Sequence, residues 1–170
     1  MSQSPFIDQL PEQRDLFASG VAYAFYKNLQ EEKHQYSHIK VVLLAAAGGK
    51  QSYEYEVNEL QTVKQKMGIA ESIAKLIKAK KFQAIKPLLN DSSYFNYNKN
   101  ELIENIIKAD PMFGNALEFI PVGYHISRID GHNNLHIAGE IKQDKQTNNF
   151  SVDIDMDDKL KRATLINYKY

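Results

Sequence analysis

The residues best placed to do chemistry are two histidines and two aspartates in the last third of the chain: His125, His136, Asp153 and Asp155. A carboxylate that holds an imidazole by one ring nitrogen fixes its tautomer. Such a pair serves as a general base or as part of a metal-ligand set. All four lie where polar and apolar residues alternate. One set, Tyr124, Ile126, Ile137, Ile141, Phe150, Val152, Ile154, Thr164 and Ile166, is mainly apolar. The other, His125, Ser127, His136, Glu140, Ser151, Asp153, Asp155 and Lys161, is polar. A period of two is the mark of half-buried strands, so the second set would share one wet side of a sheet. Symmetrical closure of each hairpin gives the rows Ser127–His136–Asp155–Lys161 and His125–Ala138–Asp153–Ala163, with neighbours ~5 Å apart. The simpler reading of this side is a solvated surface with opposite charges paired, and it is preferred here.

Other motifs are weaker. Asp153-x-Asp155-x-Asp157-Asp158 opens like a calcium loop. Its sixth position is Asp158 where glycine is needed, and its twelfth is Thr164 where a bidentate Glu is needed. No metal site, no cofactor and no catalytic residue are expected. Gly48-Gly49-Lys50 echoes a phosphate loop, but Gln51 stands where Ser or Thr belongs, and a hairpin turn fits better. Lys75, Lys78, Lys80, Lys81 and Lys86 form a basic helix face without arginine, which reads as solvated rather than as a nucleic-acid surface. Tyr124, Arg128, Arg162 and Tyr168 are polar groups on the apolar side of the sheet. In a curled sheet they would line a pocket; as residues near strand ends, Arg128 and Arg162 would instead reach water.

Composition narrows the function classes. The chain has 170 residues and no cysteine, which excludes disulfides, thiolate zinc sites and cysteine nucleophiles. Lys plus Arg and Asp plus Glu are 21 each, so the net charge is zero and general nucleic-acid binding is not expected. The longest apolar run, Val41–Ala47, is far below the roughly 20 residues of a membrane span, so no membrane association is expected. Met1–Asp15 lacks a basic stretch followed by an apolar one. A cytoplasmic protein is the expectation, although a trimmed exported chain would read the same way.

The elements that must position these residues follow from periodicity. A helix is predicted from Pro11 to Leu29, with Phe17, Val21, Ala24, Phe25 and Leu29 as its buried stripe. A hairpin follows: Ile39–Ala47, apolar on both faces, then a half-buried Ser52–Val57. Asn58 and Gln61 resemble a capping box. Leu60, Val63, Met67, Ala70, Ala74 and Ile77 then run at helical spacing past Gly68, and Phe82–Leu89 adds a turn or two. A loop from Asn90 to Lys99 leads to a short helix, Glu101–Ala109, capped by Asn100 and stopped by Pro111. Four strands close the chain: Phe119–Ile129, Asn134–Lys142, Asn149–Met156 and Leu160–Tyr168. Their short separators force antiparallel neighbours. The fold class is α+β: an N-terminal helix and β-hairpin, central helices, and a C-terminal four-stranded antiparallel meander packed on the helices. A single domain over residues 1–170 is expected, with a subdivision into 1–62 and 63–170.

The helices carrying Ala70–Ile77 and Phe82–Leu89, a short helix, and Pro121-Val122-Gly123-Tyr124 opening a long-stranded meander resemble the nuclear-transport-factor-2-like group over residues 67–170. The resemblance implies a bent sheet wrapped round helices as a cone, often with a pocket and often dimeric. Members include isomerases, dehydratases and non-catalytic binding domains. The expectation is a non-enzymatic binding or protein-interaction domain. Its partner would be an unknown protein or a small apolar ligand, and homodimer formation is among the expectations. The alternative is a small cone-type enzyme that moves a proton on an apolar metabolite, with Tyr124 or a buried acid taking part.

Overall fold

The computed structural model describes residues 13–45, 49–90, 98–129, 131–159 and 162–169. In chain order the elements are α1 (Arg14–Asn28), a 3-10 segment (Gln30–Gln35), β1 (His38–Leu44), β2 (Lys50–Glu56), α2 (Val57–Lys78), a second 3-10 segment (Phe82–Leu88), α3 (Lys99–Phe113), β3 (Ala116–Ile129), β4 (His132–Gln143), β5 (Thr147–Asp155) and β6 (Ala163–Lys169). The α+β class is as expected: a helix, a strand pair, central helices and an antiparallel β3-β4-β5-β6 sheet packed on helices. No helix among the described residues is long and apolar enough to cross a membrane. The chain divides into two compact units. One is Met1–Lys64 with Val122–His125; the other is Gln65–Pro121 with Ile126–Tyr170.

In the first unit, α1 lies on the β1–β2 hairpin. Its predicted stripe is corrected. Ala18, Ser19, Ala22, Tyr23 and Tyr26 are buried, while Val21 and Phe25 are each 54% exposed. The cause is a backbone approach. A Cβ added at Gly20 would lie 1.9 Å from the Val122 carbonyl oxygen, and one added at Gly123 would lie 1.9 Å from that of Leu16. Ser19 Oγ joins the two segments, accepting from the Tyr124 N–H at 2.8 Å and donating to the Leu16 carbonyl at 2.7 Å. A helix pressed this closely against extended chain must show its small residues, so the bulkier stripe turns outward. The start of the predicted helix, at Pro11, lies outside the described residues.

The hairpin forms as strands, with the register His38↔Glu56 through Leu44↔Lys50. β1 was expected to be covered on both faces. Instead Ile39, Val41 and Leu43 are buried, while Val42 and Leu44 are 47% and 37% exposed. Only one side of β1 meets the helix, so its apolar outer residues have no described cover. The Gly48 turn lies outside the described residues.

In the second unit, the periodic residues of α2 are buried as expected, from Met67 through Ala70 and Ala74 to Ile77, and Gly68 does not break the helix. The helix begins at Val57, one residue ahead of the expected cap Asn58. α3 starts earlier and ends later than predicted. Asn98, not Asn100, is its cap, accepting from the Asn100 N–H at 2.9 Å. Pro111 sits within the last turn, and the stop is Gly114, at φ 90°. A proline near a helix end removes one donor. Ile103, Ile106, Asp110 and Phe113 keep a buried face running through it at spacings of three and four. Most of the predicted loop before α3, residues 91–97, lies outside the described residues.

The meander pairs β4 with β5 at His136↔Asp153, two residues from the symmetrical closure. The strands run on to a two-residue turn, Asp144-Lys145, where Gln143 N–H donates to the Gln146 carbonyl at 2.9 Å. A shift of two keeps every side chain on its predicted face. Ile137, Ile141, Phe150, Val152, Ile154 and Ile166 are accordingly buried. The β5–β6 register shifts at Asp153/Ile154, so Ala163 opposes Ile154. Ala163, expected on the wet side, is fully buried there, as is Thr164 beside it.

The backbone approach at Gly20 makes a prediction that opposes helix propensity. In an open helix Gly→Ala gains about 1 kcal/mol. Here Gly20→Ala is expected to destabilise by about 1–3 kcal/mol through overpacking. Phe25→Ser should stay within about 0.5 kcal/mol. Urea unfolding of the two variants checks both.

Candidate binding groove and the polar sheet face

α3 and β6 border a concavity of about 440 Å³ in the second unit. Its apolar lining is Leu102, Ile106, Ala109, Met112 and Ile166, and its polar groups are Asn105, Lys108, Asn167 and Tyr168. Ile106 and Ile166 belong to the core, whereas Met112 is 60% exposed. Neither a carboxylate nor a histidine is among these lining residues.

The groove runs beside an open strand edge. Gln143 N–H bonds Gln146 O and Met156 N–H bonds Asn133 O, so even-numbered residues of β5 direct their peptide groups to β4. Odd-numbered residues of β5 therefore bond Leu165, Asn167 and Lys169 of β6. That leaves the N–H and C=O groups of Ile166 and Tyr168 pointing away from the sheet. At the start of β6, Leu89 bridges Ala163 in parallel and Asn90 N–H donates to Ala163 O at 2.7 Å. Beyond that point no strand of the described residues pairs with this edge.

The four residues of the candidate pocket have separate surroundings. Tyr124 is buried in the first unit, its hydroxyl donating to Glu59 Oε1 at 3.2 Å and its ring edge-on to Tyr55 at 6.1 Å. Burial, and then the charge of Glu59, push its pKa up. Tyr55 is raised too, by burial and then by Asp15. Arg128 is exposed, its Nε donating to Gly131 O at 3.3 Å. Arg162 Nε donates to Asp158 Oδ2 at 3.3 Å. Tyr168 lines the groove. Its hydroxyl accepts from Gln143 Nε2 at 2.6 Å, Gln143 Oε1 accepts in turn from Asn148 Nδ2, and the ring packs edge-on against Phe113. Burial, and then the charge of Asp110, push the Tyr168 pKa up to about 12.

Of the polar-face residues, the structure brings His136 and Asp153 together, Nδ1 to Oδ1 at 2.9 Å. Asn134 Nδ2 donates to the same oxygen at 3.1 Å. A proton on Nδ1 given to Asp153 leaves Nε2 as the accepting nitrogen, the form a base or a metal ligand needs. His125 stands apart in the first unit, exposed, with Nδ1 3.4 Å from Asp15 Oδ2. Asp155 is opposite Asn134, and its Oδ2 is 3.7 Å from His132 Nδ1. Asp153 and Asp155 were expected in water, but they are only 6% and 9% exposed. Buried carboxylates need partners. Asp153 has Asn134 and His136; Asp155 has His132 and the Asp157 N–H, which donates at 2.8 Å.

Two residues had been missed. Lys66 is buried, and its Nζ donates to the carbonyls of Asp155 at 3.1 Å and Asp158 at 2.9 Å. Its sequence signal was its place, three beyond Val63 and four before Ala70, on the apolar stripe. His132 was read only as a turn residue. Its ring, Asp155 and Asp157 offer ligand atoms within 4.8 Å of one another. Of the run Asp153-x-Asp155-x-Asp157-Asp158, neither Asp153 nor Asp158 is in that group. No family model, curated protein or solved structure matches the chain.

Asp153→Ala strands two donors and is expected to cost about 1–3 kcal/mol. His136→Ala should cost less than about 1 kcal/mol, because Asp153 keeps Asn134. Denaturant midpoints separate the two. Alkaline pH gives a further test. An unfolded tyrosine ionises near 10, whereas folded Tyr168 holds its proton to about 12. Its contribution is whole below pH 10 and is lost as pH rises towards 12. Tyr168→Phe should flatten that part of the stability profile and remove a late component from the tyrosinate absorbance titration.

Proposed function

We propose that this chain is a non-enzymatic interaction domain that takes an extended apolar segment of a partner protein along the α3–β6 groove. The observation that carries the reading is the pairing of an open strand edge with an apolar concavity. The outward peptide groups of Ile166 and Tyr168 supply main-chain hydrogen bonds to an added strand. The concavity beside them receives its alternate side chains. Strand addition of this kind takes affinity from the backbone and selectivity from pockets. The lining offers depth and apolar surface but no acid or imidazole, which favours holding a segment over transforming a metabolite. The element order of the second unit, helices followed by a meander, supports a cone of the nuclear-transport-factor-2-like type as part of this proposal. Proton-transfer catalysis is the second reading, favoured by the His136–Asp153 pair, but neither residue belongs to the groove.

A displayed library of random linear peptides is the test. Selection on the intact chain is expected to enrich sequences with apolar residues at alternate positions. Met112→Glu should abolish their binding while leaving the unfolding midpoint unchanged. No enrichment, or enriched peptides that bind Met112→Glu equally well, would sink the reading.

A further inference from the structure

We infer that β1 is a self-recognition edge, on which a second copy of this chain pairs antiparallel about Val41 to make a continuous β2-β1-β1-β2 sheet. The backbone fixes the geometry. Val57 N–H donates to Ser37 O and Ala45 N–H to Gly49 O, both at 2.9 Å, in register with the β1–β2 ladder. Odd-numbered residues of β1 therefore bond β2, and the peptide groups of His38, Lys40, Val42 and Leu44 point the other way. No strand of the described residues takes them. Pairing about Val41 sets His38 opposite Leu44 and Lys40 opposite Val42 of the second copy. All of these are outward-bonding residues, so every outward N–H and C=O from His38 to Leu44 finds a partner.

The side chains agree with this register. His38, Lys40, Val42 and Leu44 are exposed on one face of β1. Lys40 is beside Glu54, 3.4 Å away, and His38 is opposite Glu56. Across the joined sheet the rows read Glu54–Lys40–Val42–Ser52 and Glu56–His38–Leu44–Lys50, with the last two residues of each from the second copy. No row sets like charges side by side, and each half-exposed Val42 is covered by a Lys40 stem. The arrangement is isologous and closes as a twofold dimer. Lys40 is the one Lys, Arg, Asp or Glu on β1, and it lies beside Glu54 of its own copy; from Val41 to Leu44 the strand carries none of the charge, proline or bulge that ordinarily blunts an edge. The occupant is thus a strand of matching polarity pattern, which the chain itself supplies.

Sedimentation velocity over a range of protein concentrations tests the inference on the whole chain. The wild type is expected to show a reversible monomer–dimer equilibrium. Hydrogen exchange at the Lys40 and Val42 amides should slow as concentration rises, while the Val41 amide, bonded within the hairpin, should not respond. Val42→Lys faces Lys40 of the second copy and should give monomer with an unchanged circular dichroism spectrum. The triple variant Lys40→Glu/Val42→Lys/Glu54→Lys restores opposite charges both within the copy and across the axis and should dimerise again. A wild type that stays monomeric overturns the inference. So does a Val42→Lys variant that dimerises as before, or a triple variant that does not recover. The peptide selection reads β6 and this experiment reads β1, so either can fail without the other.

Discussion

Peptide N–H and C=O groups must be bonded or wet, and in this chain that requirement bears on the outer strands of two open sheets. β1 and β2 bound one sheet, and β3 and β6 bound the other. Two of these edges carry protection. β2 places Lys50, Glu54 and Glu56 along its length, and β3 contains Pro121, a residue confined to edges because it has no N–H to give. β1 has a single lysine, Lys40, held beside Glu54, and β6 has none before Lys169; neither strand contains proline.

Much of the architecture was legible because its signals are local. The period-two alternation beyond Pro121 determined which side of the meander is buried, and it survived a register error of two residues because only odd shifts exchange the faces. The helical spacing from Met67 to Ile77 was equally direct. What failed was whatever depended on the approach of a distant segment. The face of α1 is chosen by Gly20 and Gly123 letting backbones touch, and nothing in the run Phe17–Leu29 announces that its bulky residues will lose to Ala18 and Ala22. β1 looked apolar on both sides because composition cannot say that one side lacks a cover.

The candidate sites show the same division. His136 beside Asp153 follows from alternation and antiparallel pairing, so the pair was expected to lie on one face, with the wrong aspartate opposite. Their burial did not follow. Asn134 donates to the Asp153 carboxylate, the Asp157 N–H donates to that of Asp155 with the His132 ring nearby, and Lys66 reaches the carbonyls of Asp155 and Asp158. The groove was hidden for a different reason. It is a relation between α3 and the edge of β6, elements separated by some fifty residues of sequence. Of the four candidate pocket residues, Tyr168 alone is among its lining.

The β1 and β6 edges differ in ways that would suit different occupants. An edge that meets its own copy is constrained by symmetry. Whatever charge it shows at one end must be tolerated at the other, and in the inferred pairing β1 would meet this by keeping Lys40 next to Glu54 and offering the uncharged Val42 as the neighbour across the axis. The β6 edge has no comparable row of paired charges. Its character comes from the concavity alongside, where Leu102, Ala109 and Met112 give depth on one side of any added strand. Depth selects by side-chain size and apolarity at alternate positions, which a foreign sequence can satisfy without carrying the symmetry of the host. On the proposed readings backbone pairing would supply the binding at both edges, and the surroundings of each edge would decide what is admitted.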